Sequence, residues 1–444
     1  MSSRTFLIIA VASLCALSRT AAAIPAAPDS FPVGAVTETV HSLGDTSQTY
    51  ALYLPSSYSK AHHWPVLLLM DPRGRALIPM RLFQVAAERY GYIVMSSYQT
   101  QSDGPVEPND KAVNAMLSDA QSRFSVDMHR LYFAGFSGTA RLAWYYAYSV
   151  PDNVAGLIEA GAGLPAPDLL LQKSVAKVPT PFAVFLAVGT TDFNYDEVRS
   201  LDPRLQAFGV RHHLEVFDGP HSWPPEFVCF NALSWMELHA MRVGKLPLNA
   251  AWIDSLFNTT IAAIDAQAGA DSYTASQLYR QAVADFAGLH NTDTLVVRAS
   301  QLAESADAKR TARHVAQLAD DDQRWAEREE SFFADFSRAN PPGSVDELRS
   351  QLRLDELRDR ARQTTDTLDA LSAKRRLASL LVRSSFYEPR RYLAQADTLK
   401  ALTMYALAQS IQPENTQLCA ERDQLYRSYA IRKPVARELG CDRH

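Results

Sequence analysis

Ser137 stands in the run Gly135-Phe136-Ser137-Gly138-Thr139, directly after an apolar stretch. Asp192 closes Gly189-Thr190-Thr191-Asp192, and His221 closes Asp218-Gly219-Pro220-His221. Each follows a segment of the kind that forms a strand, so all three would gather at one edge of a parallel sheet. A serine hydroxyl is a weak nucleophile at neutral pH and needs an adjacent base. A histidine can take its proton and pass it to a leaving group, while an acid orients the ring and stabilises its cation. The chemistry within reach is acyl transfer to water through a covalent intermediate on Ser137.

Other residues compete for these roles. Asp196 lies beside Glu197 at a helix start, where acids suit the helix dipole, so Asp192 is preferred as the acid. His212 and His213 fall at a strand start and read as structural. A serine after a strand can also simply cap the next helix; the ordered acid and histidine favour the chemical role. Gly135 and Gly138 flank the serine because a sharp strand–turn–helix elbow needs small neighbours.

The oxyanion of such a reaction needs preset donors, and removal of one costs about 10²–10³ in rate. The Gly138 N–H is one candidate. A second would come from the loop Asp71-Pro72-Arg73-Gly74; proline has no N–H, so Arg73 is the candidate there. Arg141 and Trp223 are candidate substrate contacts, the first by attraction of an acidic group, the second as a pocket wall. Their alternatives are a solvated charge and a packing role.

The elements that must position these residues can be read from periodicity. Thr49–Leu54 alternates and stops at Pro55, as a strand does. Val66–Met70 is continuously apolar, as expected of a strand buried on both faces. Tyr92–Met95, Arg130–Ala134, Val154–Ile158, Pro181–Val188 and His213–Phe217 read as further strands. Helical patterns span Leu82–Arg89, Asp110–Arg123, Ala140–Tyr148 and Glu226–Met241. Strands alternating with helices imply an α/β fold with a mainly parallel, doubly wound sheet.

With the order Ser137, Asp192, His221, residues from about Thr37 to Met241 resemble the α/β-hydrolase superfamily. Tyr50-Ala51-Leu52-Tyr53-Leu54-Pro55, the elbow, Gly189-x-x-Asp192 and Gly219-x-His221-x-Trp223 carry the resemblance. It points to the secreted esterase branch with dienelactone-hydrolase-like, polyhydroxybutyrate-depolymerase-like and feruloyl-esterase-like members. The resemblance implies a serine hydrolase that cleaves a small-molecule or polymeric carboxylic ester, without metal or organic cofactor. The chain departs from that pattern at Thr139, where relatives carry glycine and where threonine would crowd helix against strand, and at Asp71–Gly74, where they often carry His-Gly. Two other readings stay open: a catalytically inactive scaffold that binds a protein partner, and a peptidase, because amides yield to the same triad.

Residues 1–245 hold 14 of the 18 glycines and 18 of the 24 prolines. The sparsely punctuated, charge-rich remainder reads as helical, with a boundary near Gly244–Pro247, giving an α/β-hydrolase domain at 30–245 and an all-α domain at 246–444. Ser344-x-x-Glu347, after Asn340-Pro341-Pro342-Gly343, is a capping box. Ala401, Tyr405, Ala408 and Pro413, with Tyr392 upstream, resemble one tetratricopeptide-like unit near 385–430, though no clean repeat period precedes it. Such a region usually binds a partner or covers an active site.

Net charge is −5, from 44 Lys+Arg against 49 Asp+Glu, which makes nucleic acid a poor candidate partner. At the amino terminus, Arg4, the apolar run Phe6–Leu17 and Ala21-Ala22-Ala23 form a signal peptide pattern with cleavage near Ala23. The run is too short to span a bilayer. A secreted or periplasmic location follows, with no integral membrane segment in the mature chain. Cys15 would leave with the signal, so Cys229, Cys419 and Cys441 remain; an odd number excludes a complete disulfide framework and leaves a Cys419–Cys441 pairing open. No CxxC or HExxH pattern signals a metal.

Overall fold

The computed structural model describes residues 30–166, 168–177, 180–269, 271–363 and 368–428. The signal pattern, Cys15 and Cys441 lie outside these residues.

Eight strands form one sheet: β1 (Val36–His41), β2 (Thr49–Tyr53), β3 (Trp64–Met70), β4 (Ile93–Ser97), β5 (Val126–Phe136), β6 (Val154–Ala160), β7 (Ala183–Gly189) and β8 (His212–Phe217). Their order is β1-β2-β4-β3-β5-β6-β7-β8. Only β1–β2 and β2–β4 pair antiparallel; all later pairs are parallel. The continuous apolar runs sit where the sequence placed them: β3 is buried at Val66–Met70, and β6 and β7 are buried at every residue. Strands covered on both faces have no polar side to show, which is why they do not alternate.

Helices cover both faces: α1 (Leu77–Tyr90), α2 (Glu107–Arg123), α3 (Gly138–Ser149), α4 (Leu169–Val175), α5 (Tyr195–Arg199), α6 (Leu201–Ala207) and α7 (Glu226–Arg242). Alternate residues of each strand feed two cores. Leu68, Phe133, Leu157 and Leu186 pack with Trp144 on one face; Leu67, Tyr132, Ile158 and Phe185 pack with Met80, Phe83 and Met236 on the other. The first strand, β1, escaped the sequence reading because VTETVH alternates weakly at an exposed edge.

From Ala250 on, the described residues form helices without strands: α8 (Ala250–Ala268), α9 (Ser272–Phe286), α10 (Asp293–Ala303), α11 (Ala306–Arg338), α12 (Val345–Gln351), α13 (Leu354–Ala361), α14 (Leu368–Val382), a π turn (Arg383–Tyr387), α15 (Glu388–Ala394), α16 (Thr398–Ile411) and α17 (Thr416–Ser428). The fold is thus a mainly parallel α/β sheet followed by a helix-rich region. The capping box forms as expected: Ser344 Oγ accepts the Glu347 N–H at 3.3 Å, and Glu347 Oε2 accepts the Ser344 N–H at 2.8 Å. Ile253, Phe257, Tyr279 and Phe286 build one core near the sheet, and Phe333, Phe336, Tyr392 and Met404 a second, distal one. The 33-residue α11 carries the chain from the first to the second. At 1.5 Å per residue it runs about 50 Å. Among the described residues no helix is long and apolar enough to cross a membrane.

Asp285, near the end of α9, fastens the helices to the sheet. Its carboxylate pairs with His213 Nδ1 on β8 at 2.9 Å and accepts the Trp235 indole N–H of α7 at 2.7 Å. Arg211 adds a 3.6 Å ion pair, and Gln281 donates at 3.1 Å. Burial by itself would favour the neutral forms, but the pairing wins on both sides: the His213 pKa is raised and that of Asp285 lowered. The histidine's share of stability is complete below its unfolded value of about 6.5 and fades as pH rises through the folded one; the aspartate's is complete above about 3.9 and fades as pH falls through its lowered folded value. Asp285→Ala should therefore cost about 3–5 kcal/mol, because it strands a buried cation. Urea unfolding from pH 4 to pH 9 should show the gap to wild type widest between about pH 4 and 6.5 and narrower in alkali.

Candidate active site

Ser137 has φ 56° and ψ −128°, a backbone region that only a well-braced non-glycine residue holds. Such strain costs on the order of 1–3 kcal/mol. The bracing is local. The Ser137 N–H donates to the Ala160 carbonyl at the end of β6 at 2.8 Å, and the Ala140 N–H closes back on the Ser137 carbonyl at 3.0 Å. A Cβ on Gly135 would lie 2.4 Å from the Thr139 carbonyl oxygen, and one on Gly138 would lie 2.5 Å from Ser102 Cβ. Both glycines are thus fixed by close approach.

Thr139 does not crowd the helix away from the strand, as its size suggests. It is fully buried, and its hydroxyl lies 2.6 Å from the Met70 carbonyl and 2.8 Å from the Phe136 carbonyl while accepting the Phe136 N–H at 3.2 Å. The methyl and hydroxyl fill the space a glycine would leave, and the hydroxyl ties the start of α3 to the end of β3.

His221 reaches Ser137 from the loop after β8. Its Nε2 lies 3.0 Å from Ser137 Oγ, and its Nδ1 lies 2.9 Å from both carboxylate oxygens of Asp192. Asp192 is fully buried and also accepts the Asn194 N–H at 2.7 Å. The imidazole is held between Phe136 and Phe193, with ring centroids at 4.6 Å and 4.1 Å. The three residues singled out by type and order meet within hydrogen-bond distance, which is the arrangement a base-activated serine requires. Asp196 instead lies in the first turn of α5.

Three other assignments are corrected by the geometry. The Arg73 N–H is not left free for an oxyanion: it donates to Asp71 Oδ1 at 2.8 Å. Arg141 does not await an acidic substrate; both oxygens of Glu197, 56 residues away, bind its guanidinium at 2.8 Å. Trp223 is not a pocket wall. It is 7% exposed, packs near Phe83 and Phe136, and its indole N–H donates to Asp71 Oδ2 at 2.9 Å. Gly138 keeps its expected place: it opens α3, so its N–H is one of the first-turn donors without an intrahelical acceptor.

These corrections centre on Asp71, which sequence reading passed over. Fully buried at the end of β3, it accepts from the Arg73 and Arg75 N–H groups, the Arg75 guanidinium and Trp223. Burial would raise its pKa; the bonds from Arg75 and Trp223 and the two N–H groups outweigh that and hold it below the usual carboxylate value. The loop after β3 and the loop that carries His221 therefore share one anion. Thr100 and Ser102 add bonds to the Asp71 and Pro72 carbonyls at 3.0 Å each.

A cleft of about 2390 Å³ opens beside β8, lined by α5, α6 and the helices α8, α9, α11 and α14. It does not include Ser137. Phe193 lines it and also packs against His221, with ring centroids 4.1 Å apart. Among the described residues no group of three or more His, Cys, Asp and Glu side chains could hold a metal ion. Cys229 is a buried free thiol; Cys441, the other half of the expected Cys419–Cys441 pairing, lies outside the described residues.

No protein-family model matches the chain, and no curated protein matches its sequence. Among solved structures it is similar to FphF, a fluorophosphonate-binding serine hydrolase of Staphylococcus aureus, at 17% identity over 46% of this chain and 99% of that one, TM-score 0.39. It is similar to a ferulic acid esterase at 20% identity over 46% and 97%, TM-score 0.35. It is also similar to Est1E from Butyrivibrio proteoclasticus at 13% identity over 44% and 95%, TM-score 0.35. The sheet order and its helices make this an α/β-hydrolase-like fold with an added helical region.

One buried group near the elbow has no partner. Glu159 on β6 pairs in register with Gly135, is fully buried, and neither carboxyl oxygen finds a hydrogen bond. Desolvation pushes its pKa well above the ordinary value, against a smaller opposing pull from Arg141. The folded state then holds a proton that the unfolded state releases near pH 4.3, so stability falls as pH climbs from there toward the folded pKa. Glu159→Gln keeps the shape and removes the ionisation. Its thermal midpoint should match wild type near pH 4 and exceed it near pH 8; equal midpoints at both pH values would refute the assignment.

Proposed function

We propose that the chain is a serine hydrolase that cleaves a carboxylic ester through an acyl-enzyme on Ser137. The observation that carries this reading is the placement of His221, 3.0 Å from Ser137 Oγ on one side and 2.9 Å from Asp192 on the other. In the proposed reaction Ser137 Oγ attacks the ester carbonyl while His221 Nε2 takes the hydroxyl proton. The tetrahedral oxyanion collapses, the C–O bond to the alcohol breaks, and His221 returns the proton to the leaving alkoxide. Water then repeats the sequence on the acyl-serine and releases the acid. Asp192 holds the ring with Nδ1 protonated and stabilises its cation.

Gly138 N–H is the first donor of the proposed oxyanion hole. Arg73 N–H would join it only by sharing its hydrogen with Asp71. We further propose the mature domain limits as 30–245 and 246–444, and a secreted or periplasmic location from the signal pattern. The substrate is a small-molecule or polymeric ester.

A fluorophosphonate probe should label the purified mature protein, and Ser137→Ala and His221→Ala should abolish or nearly abolish that labelling. The same variants should lose roughly 10⁴-fold or more in kcat on p-nitrophenyl acetate. Folded wild-type protein that resists the probe would sink the reading. Faster turnover of a matched anilide than of the ester would move it to the peptidase class.

A further inference from the structure

His221 is held by the short loop that joins β7 to α5, residues 190–194. The loop supplies Asp192, whose two carboxylate oxygens each lie 2.9 Å from His221 Nδ1. It also supplies Phe193, whose ring centre lies 4.1 Å from that of the imidazole. The same loop is bonded to the one that carries His221. Thr190 Oγ1 donates to Asp218 Oδ1 at 3.1 Å and accepts the Gly219 N–H at 3.3 Å. Thr191 donates to the Gly219 carbonyl twice, from its N–H at 2.9 Å and its hydroxyl at 3.0 Å. Acid and base therefore move as one unit, and whatever fixes residues 190–194 fixes the imidazole against Ser137.

The helical region reaches this loop with one side chain. Arg375 of α14 donates from Nη1 to the Thr190 carbonyl at 3.3 Å. Its guanidinium carbon lies 4.3 Å from the centre of the Tyr195 ring, on the first residue of α5. The Tyr195 N–H closes back on the Asp192 carbonyl at 3.1 Å. Arg375 thus grips the loop on both sides of Asp192 and Phe193. A guanidinium suits the task because its donors lie in one plane whose face stacks on an aromatic ring.

Arg375 is itself set from behind. Its Nη2 binds Asp322 Oδ2 of α11 at 3.2 Å, and the two side chains are only 12% and 8% exposed. Asp322 also accepts Ser372 Oγ at 2.6 Å and Arg376 Nε at 2.7 Å. Arg376 shares this carboxylate, but its guanidinium faces the Trp325 ring of α11 at 5.6 Å. The two arginines therefore brace the same corner, and Arg375 is the one that bonds the loop.

We propose that Arg375, contributed by the helical region, is a positioning residue that fixes the Asp192–Phe193 loop and so keeps His221 aligned on Ser137. The inference rests on the proposed hydrolase reading. Arg375 touches no reacting atom, so it acts on kcat and not on KM. The α/β portion carries the three reacting residues, and their alignment is completed from α14.

The test measures kcat and KM on p-nitrophenyl acetate, with the rate of fluorophosphonate labelling, in the full-length mature protein. Arg375→Ala should lower kcat and the labelling rate about tenfold, as expected when a base is slightly misplaced. KM should stay within about twofold of wild type. Arg375→Lys keeps a cation beside Asp322 but loses the planar fork, and should fall about threefold in kcat. Arg376→Ala should keep the wild-type kcat and labelling rate, although it removes a partner of the same carboxylate. Equal losses in the two alanine variants would make the corner merely structural and overturn the proposal. An unchanged kcat in Arg375→Ala, or a change in KM alone, would overturn it too. If Arg375→Ala fails to fold, Arg375→Lys decides, and an unchanged kcat there overturns the proposal. In each of these cases labelling of the wild type leaves the hydrolase reading intact. A wild type that neither labels nor turns over ester would overturn both.

Discussion

A serine at a strand–helix junction can project its hydroxyl from the sheet only if its backbone leaves the ordinary regions, and Ser137 does so at φ 56°. The rest of the α/β portion is organised by that requirement. Two neighbours must be glycine because backbone or Ser102 occupies the space of their Cβ atoms. The Ala160 carbonyl must be at the edge of β6 to receive the Ser137 N–H, which demands that β5 and β6 run parallel and in register through Phe136 and Ala160. Thr139 then carries the constraint one strand further, to the Met70 carbonyl of β3. Three adjacent strand ends are fixed by one distorted residue, and strain of about 1–3 kcal/mol is small against the stability of a sheet buried on both faces.

The strand ends of β3, β5 and β8 hold different parts of the proposed chemistry, and Asp71 is what keeps the first and last in step. Its four donor groups come from its own loop and from Trp223, 152 residues later. A buried carboxylate without such partners would be neutral and would leave several donors unsatisfied. The loop after β3 uses this anion to gather N–H groups into a tight turn. The consequence is visible at Arg73, whose N–H is drawn inward. A hydrogen already held at 2.8 Å by a carboxylate is a poorer oxyanion donor than a free one, so in the proposed reaction more of the charge falls to Gly138 and the first turn of α3.

The sequence reading was strongest where one residue type had one reason to be present. Apolar runs located β3 to β7 because a doubly covered strand has no other composition open to it. The elbow and the order of Ser137, Asp192 and His221 located the candidate site because strand ends are where such residues must sit. It failed where the deciding fact was a partner far along the chain. Arg141 looked like an open charge until Glu197 arrived from α5, and Trp223 looked like a wall until Asp71 claimed its indole N–H. Glu159 was hidden inside an apolar run, and a charged residue in a buried strand was the available signal. His213 read as structural, but the group it serves, Asp285, lies 72 residues later in what sequence marks only as a helix.

The helical region is tied to the sheet at two places with different physics. Near β8 the joint is a shared buried anion, Asp285, reached from the strand, α7 and its own helix. At the other the contacts are thinner: one arginine on the Thr190 carbonyl and the same arginine on the face of Tyr195. Asp322, midway along the 33-residue α11, pairs with that arginine from behind, and both side chains are largely buried. Thin contacts open at lower free energy than buried ones. The joint at Asp285, with bonds from β8 and α7, is therefore the one that keeps the helices on the sheet when the single Arg375 contact opens.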